Sequence, residues 1–424
     1  MLTQTILEIP FQAPESVFAA FAADTGAIFL DSSAPGHPRG RYSFVAFEPL
    51  DMLVTVDEIP EALRGYTPAP NPPLPFTGGL AGFFSYDLAR TLEDIPETAS
   101  AADDFPSLRL GIYDQVIGFD HQLNRAWYCC YSDTQFDAAQ RWTSLKRRID
   151  AAEPPPPNHL RVTLSPVKSR EDYTKDIQKV IDYIHAGDVF QVNLAQRFEG
   201  PKPNHFDPYS HYLTLRRVNP APFSAYLNFG DTVIASSSPE RFLNISGTSI
   251  EARPIKGTST DPDLLAASTK DRAENIMIVD LLRNDLSKVC TDTSVDVQEL
   301  CQIESYAGLH HLVSSVTGTL RPDITAAEAL LSCFPGGSIT GAPKIRAMEI
   351  IEELEPTRRG PYCGAIGYIG FNGTMDMNIA IRTIIYQGGK SIYYAGGGIT
   401  GESDPQSEYD ETMLKTQKIF ESYS

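Results

Sequence analysis

Long apolar runs are missing from this chain. None approaches the roughly 18 residues that a membrane span needs, so a membrane protein is not expected. Basic charge is scarce: 35 Lys and Arg stand against 54 Asp and Glu, a net charge of −19. That balance argues against nucleic acid and anionic membrane as partners. A small anionic substrate remains open, because screening at physiological salt acts over roughly 8 Å and a local Arg, Lys or metal cluster outweighs the distant surface. Cysteine is sparse too. The six (129, 130, 290, 301, 333 and 363) show no CxxC spacing, which predicts reduced thiols in a cytoplasmic protein rather than a disulfide framework or a zinc site. The start "MLTQTILEIPFQ" has neither a basic region nor a small-residue cleavage site, so no signal peptide is expected. No repeat of fixed period is evident.

What is there describes a chain with a sizeable core: 42% hydrophobic and 21% charged over 424 residues. Such a length holds two or three domains or one composite unit. The stretch "AAEPPPPNHL" (151–160) can continue neither a helix nor a central strand. It reads as a connector between a strand-rich subdomain, 1–150, and a second region, 161–424, although strands from both sides can still share one sheet. In the first part, "LRLGIYDQVIGFDHQLNRAWYCCYSD" (108–133) reads as two strands around a turn. In the second, Tyr173, Ile177, Val180, Ile181 and Ile184 recur at helical spacing up to Gly187. "KDRAENIMIVDLLRNDLSKV" (270–289) is the clearest helix, apolar on nearly every side from Ile276 to Leu282 except at Asp280, and therefore expected to be buried. Helices are also predicted over 342–356, with Pro343 in the first turn, and from Pro405 onward. Strands outnumber helices and do not alternate with them, which favours an α+β fold.

Several residues could carry chemistry. Glu408 and Glu411, three apart, share a helix face, with Lys415 one turn beyond; Glu274 lies early in the 270–289 helix. Glu411 and Lys415 read either as a surface ion pair or as part of a hard-cation site, and spacing does not choose. "GGSITGAPK" (336–344) and "AGGGITG" (395–401) are Gly-rich segments that read either as ordinary caps and turns or as anion-binding backbone. His311 is one of an adjacent pair that would point oppositely on a strand. Arg382 lies inside an apolar stretch read as one strand, and a buried arginine needs an anion, from substrate or from a structural partner. Asp280, Arg283 and Asn284 suggest a structural network. Lys256, in "EARPIKGTST" (251–260), sits in a β-like, Gly-bounded frame that could hold its amine in one place.

Taken together, "PIKGTSTD", "SSSPERF", "DRAENIMIVDLLRNDLSKV", "HHLVSSVTG", "FPGGSITGAPK", "GPYCGAIGY", "MNIAIRT" and "GGGITGESDPQSEYDETMLK" resemble, in order, the chorismate-binding enzymes. That family includes anthranilate synthase component I, isochorismate and salicylate synthases, and aminodeoxychorismate synthase component I. The match is dense from about 170 to 416 and thin before it. The resemblance implies a composite α+β fold, with large antiparallel sheets packed together, helices outside, and the site in the cleft between subdomains. It implies Mg²⁺ held by Glu274 and Glu411, with Glu408 supporting its water shell, and Glu240 as the general acid. It also implies carboxylate-holding roles for Arg382, Lys415, Tyr362 and the Gly396, Gly397, Gly398 backbone, a substrate contact at Thr340, and His311 near the ring carboxylate.

Within the family, aminodeoxychorismate synthases carry Lys in the PIKGT segment where anthranilate and isochorismate synthases usually carry Ala. The water-using relatives place a lysine base where this chain has Gln191. Both features imply amination by ammonia to 4-amino-4-deoxychorismate, with Lys256 as a nucleophile, and a place in p-aminobenzoate and folate synthesis. No GxCxG nucleophile elbow is present, so ammonia is expected from a separate glutamine amidotransferase subunit, and there is no length for a lyase domain. Two positions depart from the pattern: Asp271 stands where many relatives carry a second glutamate, and "FLDSSAPGHPRGR" only loosely resembles the tryptophan-binding segment, with Ser32 as the candidate contact. Two alternatives stay open, anthranilate synthase component I and a catalytically silent chorismate-binding regulatory subunit.

Overall fold

A computed structural model describes residues 1–34, 36–101, 103–133, 138–158, 161–306 and 309–423. The last two positions of the proline-rich connector, 159 and 160, and two of the "YAGLHHLVSS" segment, 307 and 308, lie outside the described residues. The architecture is α+β, four layers deep, with two large twisted sheets face to face and helices on the outer face of each. The 13-stranded sheet runs from Ser165–Pro166 through Gln191–Pro201, Lys390–Ile399, Thr383–Gln387 and Thr232–Ser238 to Leu2–Ile9 and Tyr66–Thr67. The 10-stranded sheet runs from Ile255–Ser259 through Leu309–Thr319, Ser249–Arg253, Arg241–Ser246 and Met375–Ile379 to Gly79–Phe84 and Met52–Leu53. Each sheet takes strands from both sides of residues 151–160.

Alternation along the strands builds the layers, because successive side chains point to opposite faces. In Ala27–Asp31, Ile28 faces inward, packing with Trp127 of its own sheet and with Phe83, Ile366 and Tyr368 of the second. Ala27 and Phe29 face outward onto Phe18 and Tyr212 of the helices and Phe21 of the turn after the first of them. On the other side, Leu80, Leu243, Met377 and Ile379 meet Ile278, Val279, Leu282 and Leu286 of the helix Thr269–Ser287. Each such side chain contributes about 1.5–3 kcal/mol when taken fully out of water.

Three local expectations are revised. The 108–133 segment forms three strands, Leu108–Tyr113, Gln115–Asp120 and Arg125–Ser132; the chain passes from one sheet to the other at Asp114 alone, a break too short to register as a turn. Ile276 is 43% exposed, because the helix uses only one stripe, and Asp280 pairs with Arg283 (3.0 Å) on the exposed side. Arg382 is not inside a strand: Met375–Ile379 and Thr383–Gln387 are separate, and Arg382 occupies the break with φ +51°.

That break positions the site. The chain crosses from the larger sheet to the smaller at Pro239–Glu240 and returns at 380–382. The crossings are laced together, the Ile379 amide donating to the Glu240 carbonyl (3.0 Å) and the Ser237 amide to the Arg382 carbonyl (3.1 Å). Glu240 and Arg382 are thereby released from strand alternation, and both line the cleft.

Candidate active site

The cleft between the sheets opens into a cavity of about 830 Å³. Its wall gathers Glu240, Lys256, Glu274, His311, Tyr362, Arg382, Gly396, Gly397, Gly398, Glu408, Glu411 and Lys415, residues far apart in the chain. Thr340 is not on that wall. It is fully buried in the small-residue turn after Gly337–Ile339, where its hydroxyl donates to the Gly336 carbonyl (3.0 Å) and its own carbonyl accepts the Asn193 amide (2.8 Å). Ser32 lines a separate cavity of about 90 Å³ with Arg39, Arg241 and Asp376, and its hydroxyl donates to the Tyr42 (2.8 Å) and Pro222 (3.1 Å) carbonyls.

Lys256 comes from Ile255–Ser259, an edge strand paired with Leu309–Thr319 through an irregular register between Ile255 and Thr258. Gly257 supplies that irregularity with φ +77°, a conformation that glycine adopts freely. The Lys256 side chain is only 12% exposed, and its Nζ lies 3.8 Å from Glu274 Oε2. Burial pushes its pKa down and Lys415 reinforces this, against the pull of Glu274, Glu240 and Glu411. Burial likewise raises the Glu240 carboxyl to about 7, although the Ser338 hydroxyl, donating at 2.7 Å, and Lys256 both work to lower it. One group is pushed toward the neutral amine and the other toward the neutral acid, in one cavity. Separated environments of this sort mark nucleophile and acid roles.

The acidic trio sits on two helices. Glu274 belongs to Thr269–Ser287; Glu408 and Glu411 belong to Pro405–Glu421, whose N-cap Asp404 accepts the Ser407 amide (2.9 Å). Ammonium groups hold all three: Lys270 lies 3.9 Å from Glu274 and 3.4 Å from Glu408, and Lys415 lies 2.8 Å from Glu411. Burial raises the Glu274 carboxyl; at Glu411 burial acts the same way, but Lys415, Lys270 and Lys256 together outweigh it, and the carboxyl is lowered. Among the described residues no ready-made cluster of three His, Cys, Asp or Glu ligands is present. The donor set is nonetheless that of a hard cation, carboxylate oxygen without nitrogen or sulfur. Side-chain-free Gly397 leaves it room: a methyl there would lie 3.6 Å from Glu408 Oε2 and 3.9 Å from Glu411 Oε1.

Opposite charges line the rest of the wall. Among the described residues no carboxylate neutralises the Arg382 guanidinium, which burial disfavours; it is a cation in want of an anion. Burial, then Arg382 and His37, push His311 down to about 4, so its ring is neutral at pH 7. Tyr362 stacks on Tyr394, ring centres 5.1 Å apart. Lys415 donates to the Gly396 carbonyl (3.0 Å). Gln191 is fully buried, and among the described residues neither of its amide atoms finds a hydrogen-bond partner. A methyl on Gly398 would fall 2.1 Å from its Nε2 and 3.0 Å from Lys256 Nζ.

Ser338, Lys270, Asn193 and Tyr394 also line the cavity. Of these, Ser338 lay within the Gly-rich "GGSITGAPK" segment; the other three carried no local signal.

The family model described as chorismate binding enzyme matches residues 30–421. Aminodeoxychorismate synthase component 1 of Klebsiella aerogenes is 39% identical, with 99% of each chain covered. Anthranilate synthase component 1 of Thermus thermophilus is 35% identical, covering 96% of this chain and 94% of its own. The crystal structure of anthranilate synthase component I from Streptococcus pneumoniae superposes with a TM-score of 0.81 at 30% identity, covering 91% of this chain and 93% of that one. On this evidence and on the cleft just described, the chain belongs to the chorismate-binding enzymes.

Proposed function

We propose that this chain is the chorismate-aminating component of an aminodeoxychorismate synthase. The observation that carries the reading is Lys256, a sequestered primary amine sharing a cavity with Glu240. The full-length aminodeoxychorismate synthase relatives favour the same activity. Chorismate is a dianion with a poor leaving group, the C4 hydroxyl. Arg382, Lys415 and the Gly396–Gly398 backbone would hold its carboxylates, with Tyr362 beside them and His311 near the ring carboxylate.

An ordinary lysine, with pKa about 10.4, is neutral roughly once in two or three thousand at pH 7; burial and neighbouring cations shift that balance toward the free amine. Lys256 would attack ring C2 as Glu240 delivers its proton to the C4 oxygen, so that the C2–N bond forms, the C4–O bond breaks, and water leaves. Ammonia then attacks C4 and the C2–N bond breaks, returning the lysine amine. The net change is chorismate plus ammonia to 4-amino-4-deoxychorismate plus water.

Mg²⁺ would be held by Glu274 and Glu411, with Glu408 supporting its water, and when bound supplies charge neutralisation for the ring carboxylate. Ammonia would come from a glutamine amidotransferase subunit, consistent with the "component 1" in the relatives' names. A cytoplasmic setting belongs to the same proposal: all six cysteines are unpaired, and among the described residues no helix is long and apolar enough to cross a membrane. So does tryptophan in the cavity beside Ser32, which equilibrium dialysis tests directly; no uptake removes it.

Incubation with chorismate, Mg²⁺ and ammonium, with and without an added lyase, decides the main reading. The expected product is 4-amino-4-deoxychorismate, converted to p-aminobenzoate only when the lyase is present. Fluorescent anthranilate without lyase would assign the chain to the anthranilate branch, and no loss of chorismate would make it a silent binding subunit.

A further inference from the structure

Behind the cavity wall lies a buried ion pair that the proposed chemistry does not use. Arg359 and Glu355 side chains are 1% and 5% exposed. The Arg359 Nε donates to Glu355 Oε2 (2.9 Å), Nη2 to Glu355 Oε1 and the Asn193 carbonyl (both 2.6 Å), and Nη1 to the Ile339 carbonyl (3.0 Å). The guanidinium also lies 4.7 Å from the Tyr86 ring centre and 5.7 Å from that of Tyr362, and Glu355 Oε1 accepts the Ala195 amide (2.9 Å).

A buried pair of this kind is weak evidence for stability, because desolvation offsets its attraction. Its reach is more informative. One planar fork grips two carbonyls and a carboxylate at once, a geometry that a lysine point charge cannot reproduce. The backbone it grips belongs to Asn193 and Ile339, which line the cavity, and Tyr362 lines it as well. Ser338, the neighbour of Ile339, donates to Glu240.

We propose that Arg359 is a positioning residue, whose guanidinium sets the Ser338–Ile339 turn against Glu240 and fixes Asn193 and Tyr362 on the cavity wall. This inference rests on the reading of Glu240 as the acid. The Ser338 hydrogen bond favours the carboxylate form of Glu240. If the turn loosens, that support weakens, and Glu240 keeps its proton to higher pH.

The test is the pH dependence of kcat/KM for ammonia-dependent amination, at constant free ammonia. Wild type is compared with Glu240→Gln, Arg359→Lys and Glu355→Gln. The basic limb near pH 7 should vanish in Glu240→Gln. In folded Arg359→Lys, kcat should fall roughly 10- to 100-fold, KM should change far less, and the limb should move to higher pH. If Arg359→Lys does not accumulate folded, Glu355→Gln, which loosens the guanidinium without removing it, should give the same shift with a smaller loss. A limb that vanishes in Glu240→Gln but stays fixed, with wild-type kcat, in the folded Arg359 or Glu355 variant overturns the role of Arg359 alone. A limb that persists in Glu240→Gln overturns the reading of Glu240, and this inference with it.

Discussion

In the proposed amination, Lys256 and Glu240 would divide the work of a substitution that water alone performs poorly, one as nucleophile and one as acid. Because burial raises Glu240 to about 7, its proton is present below that pH and lost above it, so kcat/KM should decline on the alkaline side. Glu240→Gln should lower kcat about 10²- to 10⁴-fold, the usual worth of a placed general acid, as steady-state amination rates will show. Lys256 has a more direct signature. Wild-type enzyme quenched during turnover should gain the mass of chorismate less water on the peptide that contains residue 256, while Lys256→Ala should show no gain and lose the amination. Full activity in Lys256→Ala would remove the covalent route and leave direct attack by ammonia.

At the scale of elements, the strand Lys390–Ile399 presents three glycines where side chains would fill the cleft. The demand is unequal along it. A methyl at Gly398 would strike Gln191 Nε2 and crowd Lys256 Nζ, whereas one at Gly397 would meet only side-chain ends at wider spacing, Lys415 Nζ at 3.3 Å, Glu408 Oε2 at 3.6 Å and Glu411 Oε1 at 3.9 Å. Gly398→Ala should therefore abolish most amination and also lower the melting temperature, because Gln191 is fully buried and must shift, and Gly397→Ala should be milder in both; equal losses of activity would mean that Lys256 is not held where it acts. The same scale shows what could be read in advance. The helices that carry Glu274, Glu408 and Glu411 were legible, the first from its apolar run Ile276 to Leu282 and the second from its Asp404–Pro405 start, because such signals are local. The crossings at Pro239–Glu240 and 380–382 were not legible. Their irregularity is imposed by partners more than a hundred residues away, so Arg382 looked like one more residue of an apolar strand. Thr340 was misplaced for a related reason: a loop can be recognised from its glycines without revealing which of its side chains turns inward. Arg359 carried no signal, since nothing in "PTRRG" distinguishes a surface arginine from one that braces three segments.

The whole molecule depends on its ends as well as its cleft. The helix Pro405–Glu421 carries two of the three acidic residues and Lys415, and its C-terminal end is fastened by His211, whose ring bonds to the Ser422 hydroxyl (2.8 Å) and to the Tyr386 hydroxyl of the larger sheet. Burial pushes His211 down to about 3, against about 6.5 in an unfolded chain. At pH 7 the ring is neutral in both states and costs nothing. As pH falls below about 6.5, the unfolded chain takes up a proton that the folded one refuses, so stability drops until the folded pKa is reached. At pH 5 this single group should remove about 2 kcal/mol. Urea unfolding followed at pH 7 and pH 5 should show that loss in wild type and a smaller one in His211→Gln, in which an amide replaces the titrating ring. An equal pH dependence in both proteins would place the acid sensitivity elsewhere, at His311 or the carboxylates. Because the fastening shares one helix with Glu408 and Glu411, the residues proposed to face Mg²⁺, amination should fail no later than the helix detaches, so activity and unfolding measured on the same acidified samples should fall in that order or together.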